Sequence, residues 1–413
     1  MQYKDIPVLH GFRALFIFLV GNFHIWQQSW MWPGFMIGDR VISLDFLARA
    51  GYVFVDGMVL ISALLLFLPY ARNMVCGSPL PDLKEYCVKR LARILPSYYF
   101  FILPLFFLYM YPIGRYGMNL GFAWKDILYH VFLLHTFDPK TYFSTNLGAG
   151  LWTIVILAQG YLLMPFAAKG IRKKPLLTLL SMFVLGNLYR LWVLQSPDIR
   201  SYMNQLPAFL DTYALGFVLA WFFVKLEQHA LLDSLRRWQR IAFSLCLLLV
   251  IALTVLLLKF QASSEGHAML MVNQVKTRLP FTLLFALGIV FASLSVRPIV
   301  WLFSNSLVRF LAVISYNFYI WHQVLAVELR VNLFDTDYMR ASNGQQMAYT
   351  LLCWSMAILI SAFAAYYVEK PANNLLRNLY QRRHKHEGPK TQQAGTSAGK
   401  LLHRAEKGRK GTH

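Results

Sequence analysis

Ten stretches of this chain stay apolar for longer than a soluble fold can hide, and that leaves a lipid bilayer as the solvent. They run approximately over 11–28, 47–70, 96–112, 151–168, 175–195, 207–225, 240–259, 279–296, 308–327 and 347–367. Each is long enough to cross a hydrocarbon core of about 30 Å at the helical rise of about 1.5 Å per residue. In lipid every backbone amide must be satisfied internally, which favours helices. The expected fold class is therefore all-α, a polytopic membrane protein with about ten transmembrane helices. The third stretch is short, rich in Tyr and Phe, and interrupted by Pro104. The segment 122–137 reads as a short half-buried helix, not an eleventh span. Only 14% of the residues are charged, against about a quarter in soluble domains.

The formal charge of +21 invites a nucleic-acid reading, but the positions of the charges oppose it. With the N-terminus inside, the inner stretches hold 28 Lys and Arg residues and the outer ones 11. That asymmetry is the orientation signal of an integral membrane protein, and both termini are expected to be cytoplasmic. The basic residues then touch lipid headgroups. No basic stripe interleaved with stacking aromatics is present, so nucleic acid is not an expected partner. The first apolar stretch is followed by Gln27, Gln28, Trp30 and Trp32 instead of a small-residue cleavage site, and is read as a retained span. From about Gln381 the chain turns polar, basic and Gly/Ser/Thr-containing, so 376–413 is expected to be a disordered cytoplasmic tail behind a membrane domain of 1–375. Four scattered cysteines (Cys76, Cys87, Cys246, Cys353) without a CxxC pair predict neither a disulfide framework nor a metal site.

Ionisable side chains inside such spans are costly and mark candidate chemistry. Arg13 and His24 are 11 residues apart in the first span, nearly three whole turns, so they share a helix face about 16 Å apart. With Arg13 at the inner interface, His24 is expected near the bilayer midplane. Histidine suits proton transfer near neutral pH; a packing role is the plainer alternative. Asp56 sits in an apolar run and needs a partner, for which Arg13, Arg49 and His24 are the candidates. Lys89, Arg90 and Arg93 cluster before Pro96, and guanidinium forks at that interface suit a polyphosphate; a simple orientation anchor is the competing reading. In the ninth span Ser315, Tyr316, Tyr319 and His322 lie along one side of the helix, where an aromatic interface belt would also place them. Arg190 and Asp211, on adjacent spans, are expected to pair.

Taken in order, these pieces resemble the acyltransferase 3 family of membrane O-acyltransferases over nearly the whole length to about residue 375. RALFIFLVGNFH (13–24) is similar to the family's first-span Arg/Lys and His separated by ten residues. Val55, Asp56 and Ser62 fall in register with its Val-Asp … Ser pattern, RLAR (90–93) with its Arg-x-x-Arg, and LWTIVILAQGYLLMP (151–165) with its Trp … Gln … Pro segment. ISYNFYIWH (314–322) resembles its late Ser-Tyr … Tyr-x-x-His stretch, and YYVEKP its closing Tyr-x-x-Glu-x-Pro. The chain departs from the pattern at Ala63, at Met58 and Val59, and at Leu157 and Ala158, where an acidic residue is usual.

The resemblance implies transfer of an acyl group, commonly acetyl, from cytoplasmic acyl-CoA to a hydroxyl of a cell-envelope carbohydrate or its lipid-linked precursor. It implies a bacterial inner-membrane location, with membrane lipid and a glycan acceptor as partners. On that reading His24 is the general base, or forms an acyl-histidine in a runner-up route. Arg13 steadies the donor or the developing oxyanion. Asp56 orients His24 or Arg13. Arg90, Arg93 and Lys89 hold the coenzyme A phosphates, and Ser315, Tyr316, Tyr319 and His322 lie on the acceptor side. The rival class is a transporter or exporter of a glycan or lipid-linked precursor without acyl chemistry. It predicts broken helices in two matching halves, a pattern not visible in the sequence.

Overall fold

A computed structural model describes residues 6–80, 82–333 and 341–386. Among them, ten helices are long and apolar enough to span a bilayer: α1 (Val8–Ser29), α2 (Asp45–Cys76), α3 (Leu83–Met110), α4 (Ala149–Lys173), α5 (Pro175–Gln195), α6 (Leu206–Gln228), α7 (Arg237–Ala262), α8 (Gly266–Leu294), α9 (Ser306–Leu333) and α10 (Asn343–Tyr380). The chain is an integral membrane protein with the expected all-α spanning core. A two-stranded antiparallel hairpin, β1 (Gly34–Ile37) and β2 (Arg40–Ser43), links α1 to α2.

Two span limits differ from the sequence reading, for a common reason. A hydropathy window stops at charge, and the helices do not. α3 begins at Leu83, with Asp82 as its N-cap accepting from the Lys84 amide, and runs through the basic cluster. Pro96 and Pro104 lie inside it, not at its start. Beyond Pro104 the helix continues as a π-turn, Leu105–Met110, a widening common where the hydrogen-bond ladder is interrupted. Likewise α8 starts at Gly266 and not near 279, so Arg278 lies within the helix and is fully buried.

α2 is the most enclosed span, and α7 the least. Small residues set the close approaches, as expected where lipid leaves packing to shape. A Cβ on Gly21 of α1 would come within 2.4 Å of the Phe318 ring of α9, and one on Gly216 of α6 within 2.6 Å of Ala63 of α2. Phe12, Phe16, Phe54 and Phe285 continue the α1–α2–α8 contact as a chain of rings.

Between α3 and α4 the expected short helix appears as Leu120–Val131, followed by a turn at His135–Phe137 and a short helix at Pro139–Phe143. Lys125 donates to Asp138 at 2.7 Å, a contact that holds the Asp138 carboxyl below its ordinary range. The basic C-terminal stretch is helical as far as His386, continuous with α10. Leu375, Leu376 and Leu379 beside Lys370 and Arg377 give it the apolar-and-basic composition of a helix that lies along a headgroup layer. Of the tail expected to be disordered, 376–413, residues 376–386 belong to this helix, and 387–413 lie outside the described residues.

Candidate active site

Two cavities enter the helix bundle and share one wall. The narrower, about 110 Å³, is lined by Arg13 of α1, Ser62 of α2, Arg90 and Arg93 of α3, Thr153, Leu157 and Tyr161 of α4, and Ser315, Tyr316 and Tyr319 of α9. The wider, about 400 Å³, is lined among others by His24 and Gln27 of α1, Arg49, Tyr52, Tyr142, Gly150, Trp152, Arg200, Asn204, His267, Tyr319 and Gln323. Tyr319 alone lines both. Small-molecule sites run from roughly 300 to 1,000 Å³. The wider cavity therefore has room for a ring-sized substrate, and the narrower admits only a slim chain or small group.

α1 connects the two. Arg13 and His24 each stand five residues in from an end of the helix. They flank its centre, about 16 Å apart along the axis, which separates the roles expected of this pair. Arg13 opens into the narrow cavity and His24 into the wide one.

The narrow cavity is positively charged without an internal counterion. Among the described residues Arg13, Arg90 and Arg93 make no ion pair and no hydrogen bond. The Arg90 guanidinium lies 5.5 Å from the ring centroids of both Tyr86 and Tyr161. Glu369 is the nearest carboxylate in electrostatic reach of Arg13 and Arg93, and it accepts from Asn317 Nδ2 at 2.7 Å. Tyr316 donates to the Ile94 carbonyl at 2.9 Å, tying α9 to the arginine-bearing turn of α3. Desolvated cations held this way attract an anion. Lys89 does not join them. It pairs with Glu85 at 2.5 Å on the exposed face of α3 and is absent from the cavity wall. One turn of helix places Arg90 and Arg93 inward and Lys89 outward.

In the wide cavity His24 Nδ1 faces Gln27 Oε1 at 3.2 Å. With Gln27 Oε1 as the acceptor, Nδ1 carries the proton and Nε2 the lone pair. Its ring lies 5.2 Å from that of His322, centroid to centroid. His322 is fully buried and donates Nδ1–H to the Phe318 carbonyl at 3.0 Å, and its Nε2 has no partner among the described residues. The Gly150 backbone is gripped by α9 on both sides: its amide donates to Gln323 Oε1 at 2.7 Å, and its carbonyl accepts from the Tyr319 hydroxyl. This bond holds Tyr319 across the junction of the cavities.

The four residues of α9 expected on the acceptor side therefore divide. Ser315 and Tyr316 face the arginines, Tyr319 the junction, and His322 the His24 ring. Asp56 is turned away from all of them. Its partner is Arg278, not Arg13, Arg49 or His24, with Nε to Oδ1 at 3.2 Å. Arg278 also donates to the Met203 carbonyl and to Asn204 Oδ1, and its guanidinium lies 4.1 Å from the Phe209 ring centroid. The orienting role expected of Asp56 thus has no contact to carry it. The carboxylate neutralises an arginine that braces the 203–209 segment under the wide cavity. Beside it Arg190 and Asp211 form the expected pair, doubly bonded at 2.8 and 2.5 Å. The sequence reading missed Arg278 because it fell outside the assumed eighth span. Gln27, one turn beyond His24, was visible by spacing alone.

The bundle and its opposed cavities, one cationic and one carrying histidines, define a membrane-embedded site where two substrates of different chemistry can meet. The chain belongs to the acyltransferase 3 family: the family's acyltransferase domain matches residues 6–368. It is accordingly a membrane acyltransferase, and the exporter alternative falls with that membership. No curated protein and no solved structure matches this chain.

Proposed function

We propose that this acyltransferase moves an acyl group, acetyl in the first instance, from cytoplasmic acyl-CoA to a hydroxyl of a cell-envelope carbohydrate in the bacterial inner membrane. The observation that carries the reading is the set of three unpaired guanidinium groups, Arg13, Arg90 and Arg93, in a cavity that shares a lining residue, Tyr319, with the cavity holding His24. The excess of basic residues in the stretches on the N-terminal side supports a cytoplasmic position for the narrow cavity. Its arginines hold donor phosphates. Its small volume suits the slender pantetheine arm, which carries the thioester towards Tyr319, and leaves the nucleotide at the mouth. The wide cavity takes the acceptor sugar from the opposite face.

A hydroxyl is a poor nucleophile until a positioned base takes its proton. His24 Nε2 removes that proton as the oxygen attacks the thioester carbonyl carbon. The tetrahedral oxyanion collapses, the carbon–sulfur bond breaks, and the imidazolium returns the proton to the departing thiolate. Arg13 belongs to donor binding; at about 16 Å along the helix from His24 it does not serve as an oxyanion donor.

The test is thiol release by the purified protein from acetyl-CoA with and without a polysaccharide fraction from the native envelope. Acceptor-dependent thiol release with ester formation on the glycan supports the reading. Release that never depends on the acceptor, or none with any acyl-CoA, overturns it.

A further inference from the structure

A third cavity, about 350 Å³, opens between α4 and α5 on the same side as the wide cavity, and nothing in the mechanism uses it. It is a built polar site. Thr136 and Ser201, each more than nine-tenths buried, line it with side-chain hydroxyls that have no hydrogen-bond partner among the described residues. The Gln159 carboxamide lines it too, in mid-span and unpartnered among the described residues. Such groups cost free energy when left dry and unmet. Tyr189 and Tyr202 supply aromatic faces, held together by the Tyr189 hydroxyl on the Tyr202 carbonyl at 3.2 Å. Asp198 is the one charged side chain among its described lining residues, and no cation faces it.

We infer that this cavity binds a neutral saccharide unit next to the one that reacts. Hydroxyl and amide groups match the edge of a sugar ring, and a tyrosine face matches its C–H face. An anionic headgroup or a phosphate would meet Asp198 with nothing to balance it. The cavity also shares two walls with the wide one. In the 199–207 segment Arg200 and Asn204 face the wide cavity, whereas Ser201 and Tyr202 face the third. In the 136–143 segment Tyr142 faces the wide cavity and Thr136 the third. Two linked sugar units laid over these segments fill both.

The identity of the ligand as part of the acceptor rests on the acyl-transfer reading; its binding does not. Trp192 packs against Tyr202 at a tilt of 59°, with ring centroids 5.0 Å apart, and reports locally by fluorescence. The full-length protein in detergent, without donor, is titrated with glucose, galactose, mannose, rhamnose and N-acetylglucosamine, with their short oligomers, and with inorganic phosphate and glycerol phosphate. The expected result is a saturable change with at least one neutral saccharide. It disappears in Trp192→Phe, and affinity falls about tenfold in Gln159→Leu and in Tyr202→Ala. Size-exclusion profiles and thermal unfolding show that these variants fold. Two results overturn the inference: no saturable response to any saccharide of the panel, or a response that survives Gln159→Leu and Tyr202→Ala or is competed by phosphate. Saccharide binding in a protein that never transfers an acyl group removes the acyl-transfer reading and keeps this subsite.

Discussion

His24 of α1 and His322 of α9 face each other with ring centroids 5.2 Å apart, and the contact depends on Gly21, one turn back on α1, which leaves room for the Phe318 ring. Only a residue without a side chain lets the two helices approach this closely. Gly21→Val is expected to part the histidines and cut acyl transfer about 10- to 100-fold, since a misplacement of about 1 Å can cost about 10²-fold. Donor binding at the other end of α1 stays unchanged. Transfer assayed beside equilibrium binding of acetyl-CoA separates the two; transfer unaffected by the substitution contradicts the packing argument.

The cationic cavity makes a different demand. Arg90→Ala combined with Arg93→Ala removes two of its three unpaired guanidinium groups. Hydrogen bonds to charged groups contribute about 1.5–3 kcal/mol each, so donor affinity should fall at least tenfold and acceptor KM should hardly move. Lys89→Ala, on the outer face with Glu85, should leave both parameters alone. Equal donor affinity in the double variant returns the two arginines to a purely topological role.

Tyr319 lines both chambers and is anchored on the Gly150 carbonyl. Tyr319→Ala opens the junction to water from the wide side. Hydrolysis of acyl-CoA without acceptor should rise relative to transfer, and Tyr319→Phe should keep the wall but lose the hydroxyl. The ratio of free acid to ester among the products measures the leak. An unchanged ratio in Tyr319→Ala means that the two cavities do not meet there.

Asp56 and Arg278 give a stability prediction. Breaking a buried ion pair by removing one partner costs about 3–5 kcal/mol, and replacing both by apolar groups is often neutral. Asp56→Leu alone should lower the thermal unfolding temperature sharply, because Arg278 is fully enclosed. Asp56→Leu with Arg278→Met should recover much of the loss. If the single variant is as stable as the parent protein, the pair does not brace the 203–209 segment.

The ten spans were legible because twenty apolar residues in a row have few alternatives in lipid. The Arg13/His24 face was legible because helical periodicity is rigid. Which side of α3 carries charge was not: Lys89, Arg90 and Arg93 look alike in sequence, and the phase of the helix decides that two face inward and one pairs with Glu85. The partner of Asp56 was hidden for another reason. Arg278 lies 222 positions away, and a charged residue at the edge of an apolar window reads as the end of a span when it is in fact enclosed. The division of Ser315, Tyr316, Tyr319 and His322 between two chambers follows from where α3 and α4 pack on α9, a long-range fact that spacing does not contain.

The most direct test concerns His24. Purified His24→Ala, shown to fold by its unfolding temperature and to bind acetyl-CoA as the parent protein does, is assayed for ester formation on the acceptor. Loss of a general base costs about 10²- to 10⁴-fold, and the account predicts a loss in that range with donor binding intact. Ester formation at near the parent rate by that variant contradicts it.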